Sequence, residues 1–119
     1  MDRILELATT LGKSISDDPR AKNFAEARDA LEKSLEDRQL LADYEQQQNK
    51  VRTLEAQGQP VEPEEKRTLA ELHTKLAGSE VIRALASAQA DYVELMSQVS
   101  IRIEQEALGT PEGDHNEAQ

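Results

Sequence analysis

Apolar side chains recur along this chain at helical intervals almost from end to end, and no stretch alternates convincingly as a strand would. The longest regular run is Ile82, Leu85, Gln89, Tyr92, Met96, Val99 and Ile103, with steps that alternate between three and four residues. That rhythm keeps one face of a helix turned toward a partner and predicts a coiled-coil-like helix over 80–107. Val81, Ala88 and Leu95 widen the stripe on one side. Four shorter helices are predicted before it. Ile4, Ala8, Leu11 and Ile15 form the stripe of a helix over 2–15, and Phe24, Ala27, Leu31 and Leu35 face inward from one over 19–34. Leu40, Tyr44, Gln47, Val51 and Leu54 mark a third over 37–57, and Leu69, Leu72 and Leu76 a fourth over 63–77.

The breaks between these segments carry recognisable helix-end chemistry. In Ser16-Asp17-Asp18-Pro19, Asp18 can accept backbone N–H bonds as an N-cap, and Pro19 loses nothing at the first helical position. Ser34-Leu35-Glu36-Asp37 has the outline of a capping box and predicts a kink or short break. Gly58-Gln59-Pro60-Val61-Glu62-Pro63 is the clearest punctuation. Gly58 suits the left-handed residue just past a helix end, Pro63 opens the next helix, and Glu64 and Glu65 complement its dipole. A connection this short joins antiparallel neighbours. Gly78-Ser79 interrupts the pattern once more, with Ser79 as a cap, and Gly109 ends the last helix. The expected fold is all-α. It is an antiparallel helical hairpin or bundle of about five helices with a long C-terminal coiled-coil-like helix. One domain is expected over 1–108, and a mobile acidic tail over 109–119, which lacks an apolar residue large enough to anchor it.

Composition narrows the function. A chain of 119 residues fits one domain and is marginal alone, so it gains from a second copy. Only 3% of residues are aromatic, which leaves the packing to aliphatic residues and Ala. Mean hydropathy is −0.72, and no run approaches the roughly 20 apolar residues of a membrane span. The opening Met1-Asp2-Arg3-Ile4-Leu5-Glu6 lacks the features of a signal peptide, so the expected location is the cytoplasm. The absence of cysteine excludes disulfides, thiol catalysis and thiolate-held clusters. A net charge of −10 repels phosphate backbones, so no direct nucleic-acid partner is expected.

Reactive groups are sparse. Of the two histidines, His115 lies in the tail and His73 sits between Leu72 and Leu76 beside Glu71. Ala70 stands three residues before His73, so the Glu-x-x-His pair of di-iron bundles is missing. No zinc, calcium, phosphate-loop or dinucleotide motif occurs. Asp17-Asp18 and Glu64-Glu65 read as helix-start carboxylates, and Tyr44 and Tyr92 as core or interface residues. Glu71 with Lys75, and Asp29 with Lys33, are spaced as supporting ion pairs on exposed helices. No catalytic, metal or cofactor-binding residue is therefore expected. The expected functional surface is an interface built on Ile82, Leu85, Gln89, Tyr92, Met96, Val99 and Ile103.

The order of these features resembles the YlbF/YmcA family of small bacterial regulators, which includes YheA-type proteins. The likeness spans about 4–108. It begins with an N-terminal helix followed by Phe24-x-x-Ala27-x-x-x-Leu31. Glu36-Asp37 then leads into Leu40-Leu41-x-x-Tyr44 and Gln46-Gln47-Gln48, and the Gly58 turn is followed by Glu64-Glu65. Its most specific part is Ser79-Glu80-Val81-Ile82-x-x-Leu85-x-x-Ala88-Gln89-x-x-Tyr92-x-x-Leu95-Met96, leading to Val99 and Ile103. The resemblance implies an all-helical, oligomeric protein that regulates without catalysis. Some members of that family act in a complex that affects competence, sporulation, biofilm formation and RNA maturation. Some hold iron–sulfur clusters through cysteines, a role that does not carry over to a chain without cysteine. The leading expectation is a regulatory adaptor that forms a homo-oligomer, a dimer first of all, and binds an unknown protein partner. A general structural or chaperone-like coiled coil is the alternative, and a carboxylate-only metal enzyme a third.

Overall fold

The computed structural model describes residues 2–109, and the tail predicted over 109–119 lies outside them except for Gly109. The chain forms five helices, α1 (Arg3–Ser16), α2 (Pro19–Lys33), α3 (Leu35–Ala56), α4 (Pro63–Gly78) and α5 (Glu80–Leu108), and no strand among the described residues. The predicted ends hold to within about two residues, because they rest on local chemistry that is present. Asp2 Oδ1 accepts from the Ile4 and Leu5 N–H groups at 3.0 and 3.4 Å, and Asp18 Oδ1 accepts from Arg20 N–H at 2.8 Å. The Arg20 guanidinium also grips both Asp18 oxygens at 2.9 Å, and those side-chain bonds pull the Asp18 carboxyl down to about 2.

The α3–α4 turn is a Schellman motif. Gly58 sits at φ 71°, Gly58 N–H donates to Glu55 O, and Gln59 N–H donates to Leu54 O. From this turn outward the chain pairs with itself in antiparallel sense. Gln47 Nε2 donates to Glu65 O at 3.1 Å, and Lys50 Nζ meets Glu65 Oε2 at 2.8 Å. The Tyr44 and His73 rings lie 6.2 Å apart, and Phe24 stacks on Tyr92 at 5.0 Å and 28°. Thus α3 lies along α4 and α2 along α5. Gln47, which interrupts the apolar stripe of α3, is the residue that ties that helix to the first turn of α4.

Both arms of this hairpin break at the same level. Ser34 and Ser79 are the only non-helical residues between α2 and α3 and between α4 and α5. Each is extended and caps the helix that follows, accepting from Asp37 N–H at 3.2 Å and from Ile82 N–H at 3.1 Å. Each hydroxyl then donates to the same carboxylate. Ser34 Oγ reaches Asp37 Oδ2 at 2.6 Å and Ser79 Oγ reaches Asp37 Oδ1 at 2.8 Å. Asp37, just past the first kink, therefore also holds the second, at a residue 42 positions further along the chain. Gly78 belongs to α4, so Ser79 alone makes the second break.

Two expectations are corrected. Leu35, placed at the end of the α2 stripe, is the first residue of α3 and is 71% exposed, because the break at Ser34 resets the helical phase. The pairs Glu71–Lys75 and Asp29–Lys33 do not close. The ion pairs among the described residues are Asp18–Arg20, Glu32–Arg38 and Glu65–Lys50. The α1 stripe leaves Ile4, Ala8 and Leu11 exposed, with only Ile15 half-buried.

Two outcomes are expected. The Ser34 and Ser79 hydroxyls hold the Asp37 carboxyl below its usual range, with Ser34 the larger cause. Such a group stabilises the fold at pH values above the ordinary carboxylate range, and the contribution fades as pH falls through the depressed value. Asp37→Asn should melt a few degrees below the parent at neutral pH. That gap should shrink as the solution is acidified from about pH 6 toward pH 3, measured by circular dichroism. A gap that does not change with pH would show that the charge on Asp37 is not what holds the clamp. For the aromatic stack, a double-mutant cycle of Phe24→Ala and Tyr92→Ala should give a coupling of about 0.5–1.5 kcal/mol. Additive losses would show that the two rings do not support one another.

Candidate interaction surface

The described side chains offer little reactive chemistry. They hold no group of three or more His, Asp or Glu arranged to take a metal ion. His73 is exposed on α4, as expected for a boundary residue. Asp37 is engaged by both serines and held ionised, and Glu65 is held ionised first by Lys50. Neither carboxyl is poised to give up a proton near neutrality.

The clefts are open and shallow. One of about 600 Å³ lies at the elbow, between Glu36, Asp37, Leu40 and Asp43 on α3 and Lys75, Gly78 and Ser79 at the second break. Another of about 380 Å³ lies where the end of α1 meets the aromatic stack, between Gly12, Ile15, Phe24, Arg28 and Tyr92. In it the Arg28 guanidinium carbon sits 4.9 Å from the centre of the Phe24 ring, a cation–π contact that covers one side of the stack. Neither cleft encloses a small molecule as ligand sites do.

The surface itself is the more informative feature. No described side chain is fully buried. On α1, Ile4 is 76%, Leu5 63% and Leu7 56% exposed. On the distal half of α5, Val93 and Ile103 are both more than half exposed. The seven residues singled out from sequence divide into two sets, the members of each spaced a heptad apart. Leu85, Tyr92 and Val99 are half-buried by the chain's own helices, Tyr92 against Phe24. Ile82, Gln89, Met96 and Ile103 lie on the adjoining flank. Ile82 and Met96 are half-buried there, while Gln89 and Ile103 are exposed. Ala88, not Gln89, continues the inward face. Sequence reasoning found the α1 stripe of Ile4, Ala8, Leu11 and Ile15. It missed Leu5, Leu7 and Val93 as surface. The available signal was Leu7, which joins Ile4, Ala8, Leu11 and Ile15 to complete an uninterrupted apolar face on a helix too short to be a core element by itself.

A UPF0342 protein of Desulfitobacterium hafniense (strain Y51) is 24% identical over 110 residues, covering 92% of this chain and 84% of that protein. No solved structure matches the chain significantly. Residues 4–106, which include every helix but the outermost residues of α1 and α5, match the family described as control of competence regulator ComK, YlbF/YmcA. The chain belongs to the YlbF/YmcA family.

Proposed function

We propose that this protein is a non-enzymatic regulatory adaptor that works as a homodimer in the cytoplasm. It binds a further protein through its helical surface and makes no direct contact with nucleic acid or membrane. Family membership supports the regulatory part of this reading. The open clefts and the exposed apolar lines described above favour binding over catalysis. No helix among the described residues is long and apolar enough to cross a membrane.

The observation that carries the dimer is the absence of a buried core in one chain. The chain exposes 9228 Å², whereas a compact domain of 13.3 kDa exposes roughly 6,400 Å². Its radius of gyration is 20.7 Å, against roughly 13–14 Å for a compact chain of 119 residues. Stable dimers bury roughly 800 Å² or more on each partner, so the excess is of the size that a second copy covers. Each exposed Ile or Leu that becomes buried adds roughly 1.5–3 kcal/mol. On this reading Ile82, Gln89, Met96 and Ile103 belong to the contact between copies, while Leu85, Tyr92 and Val99 support it from beneath.

Light scattering at micromolar concentration should give twice the chain mass, and the melting temperature should rise with protein concentration. A stably helical monomer would overturn the dimer. Co-purification from the native host should recover one or two defined proteins at stoichiometric yield. Recovery of many unrelated proteins would favour the chaperone-like alternative instead.

A further inference from the structure

Resting on the homodimer reading, we infer that α1 is an exchanged arm: its apolar face docks on the distal half of α5 in the second copy, and the second copy's α1 returns the contact.

The arm is held away from its own chain. Its C-terminal end is pinned, because Gly12, Ile15 and Ser16 line the cleft beside Phe24 and Tyr92. The Asp18–Arg20 clasp and Pro19 then set the direction in which α2 departs. The N-terminal part projects past this anchor and leaves Ile4 and Leu7 more than half exposed, with Leu11 exposed by about a third. A helix of 14 residues is roughly 21 Å long and would not persist alone in water. Its apolar face needs a cover.

A matching surface is available on α5. That helix has 29 residues against 15 in α2. The C-terminal end of α2 at Ser34 is level with the start of α5 at Ser79, so α5 runs on for roughly 20 Å past the first residue of α2. This overhang is as long as α1. Met96 and Ile103 lie on one side of it, with Ser100 and Ala107 beside them small enough for close approach of a helix.

Charge selects among the possible pairings. α1 is net positive by one, with Arg3 and Lys13 against Glu6. α5 is net negative by three, with five acidic residues (Glu80, Asp91, Glu94, Glu104 and Glu106) against Arg83 and Arg102. Pairing α1 with α1, or α5 with α5, sets like charges together. Pairing α1 with the other copy's α5 sets unlike charges together, twice over in a two-fold dimer.

The absence of cysteine makes a direct test possible. Two differently tagged chains, one Ala8→Cys and the other Ser100→Cys, are mixed, unfolded, refolded together and treated with a flexible bismaleimide. Both sites are small and exposed. The expected product is a cross-linked pair carrying both tags, in large excess over the products from either chain alone. Self-cross-linking of Ala8→Cys or of Ser100→Cys as the main product would overturn the pairing. So would an Ala8→Cys/Ser100→Cys chain that cross-links internally when diluted into excess wild type. Light scattering on the same samples separates the two ideas. A dimer that gives no mixed product sinks the arm alone, whereas a monomer sinks the homodimer as well. As a second variant, Leu7→Asp should weaken dimerisation at least tenfold while keeping the helicity of the remaining helices. Unchanged dimer affinity would overturn the exchange.

Discussion

A layer of helices one hairpin thick has no interior. Each helix of this protein has a neighbour on one side and water on the other, so the side chains along the seams are covered by half. Phe24, Leu40, Tyr44, Leu72, Leu85 and Tyr92 all lie on such seams, and none is buried completely. The hydrophobic effect scales with area removed from water, so a half-covered seam delivers only part of what these residues can contribute. Almost everything else about the structure follows from this thinness. It explains the long dimensions of the particle, 55 × 41 × 29 Å. It also explains why apolar surface remains outside.

Within so thin a layer, alignment of the two arms cannot be left to packing. Asp37 meets that need by accepting from both cap serines. A carboxylate offers two oxygens and several lone-pair sites, so one residue can satisfy both hydroxyls while each hydroxyl still caps its own helix. The kinks on the two arms are thereby kept level, and a slip of one arm along the other would break the bond to Ser79. Exposed ion pairs elsewhere do less. Glu32 and Arg38 approach only to 3.7 Å and are solvated.

The same geometry sets what the surface can do. Its clefts are open, and Asp18, Asp37 and Glu65 are held ionised by their partners. Its exposed apolar residues, by contrast, lie in lines along helices, a shape that another helix fits and a small metabolite does not. Membership in a family concerned with control of a competence regulator fits a protein whose useful feature is an extended helical face.

The elements of this fold were legible because their signals act over short distances. A cap side chain reaches N–H groups two or three residues away, a Schellman turn closes within six, and a helical stripe repeats every three or four. The Asp18 and Ser34 caps, the Gly58 turn and the Ser79 start could all be read from neighbouring residues, and so could the apolar faces. What each face touches depends on residues far away in the chain. The clamp from Asp37 to Ser79 joins positions 42 residues apart with no sequence pattern linking them. A heptad shows that Ile82 through Ile103 share one side of a helix. It does not show that Leu85, Tyr92 and Val99 turn toward the chain's own helices while Gln89 and Ile103 remain in water. That division was set by the break at Ser79 and by the stacking of Tyr92 on Phe24. The amphipathic character of α1 was likewise fixed by sequence, but its lack of a cover was decided by the clasp at Asp18 and the direction it gives the chain. Sequence determined which surfaces are apolar, since periodicity is local. Tertiary structure decided which of them find a partner within the chain, since contact is made through space.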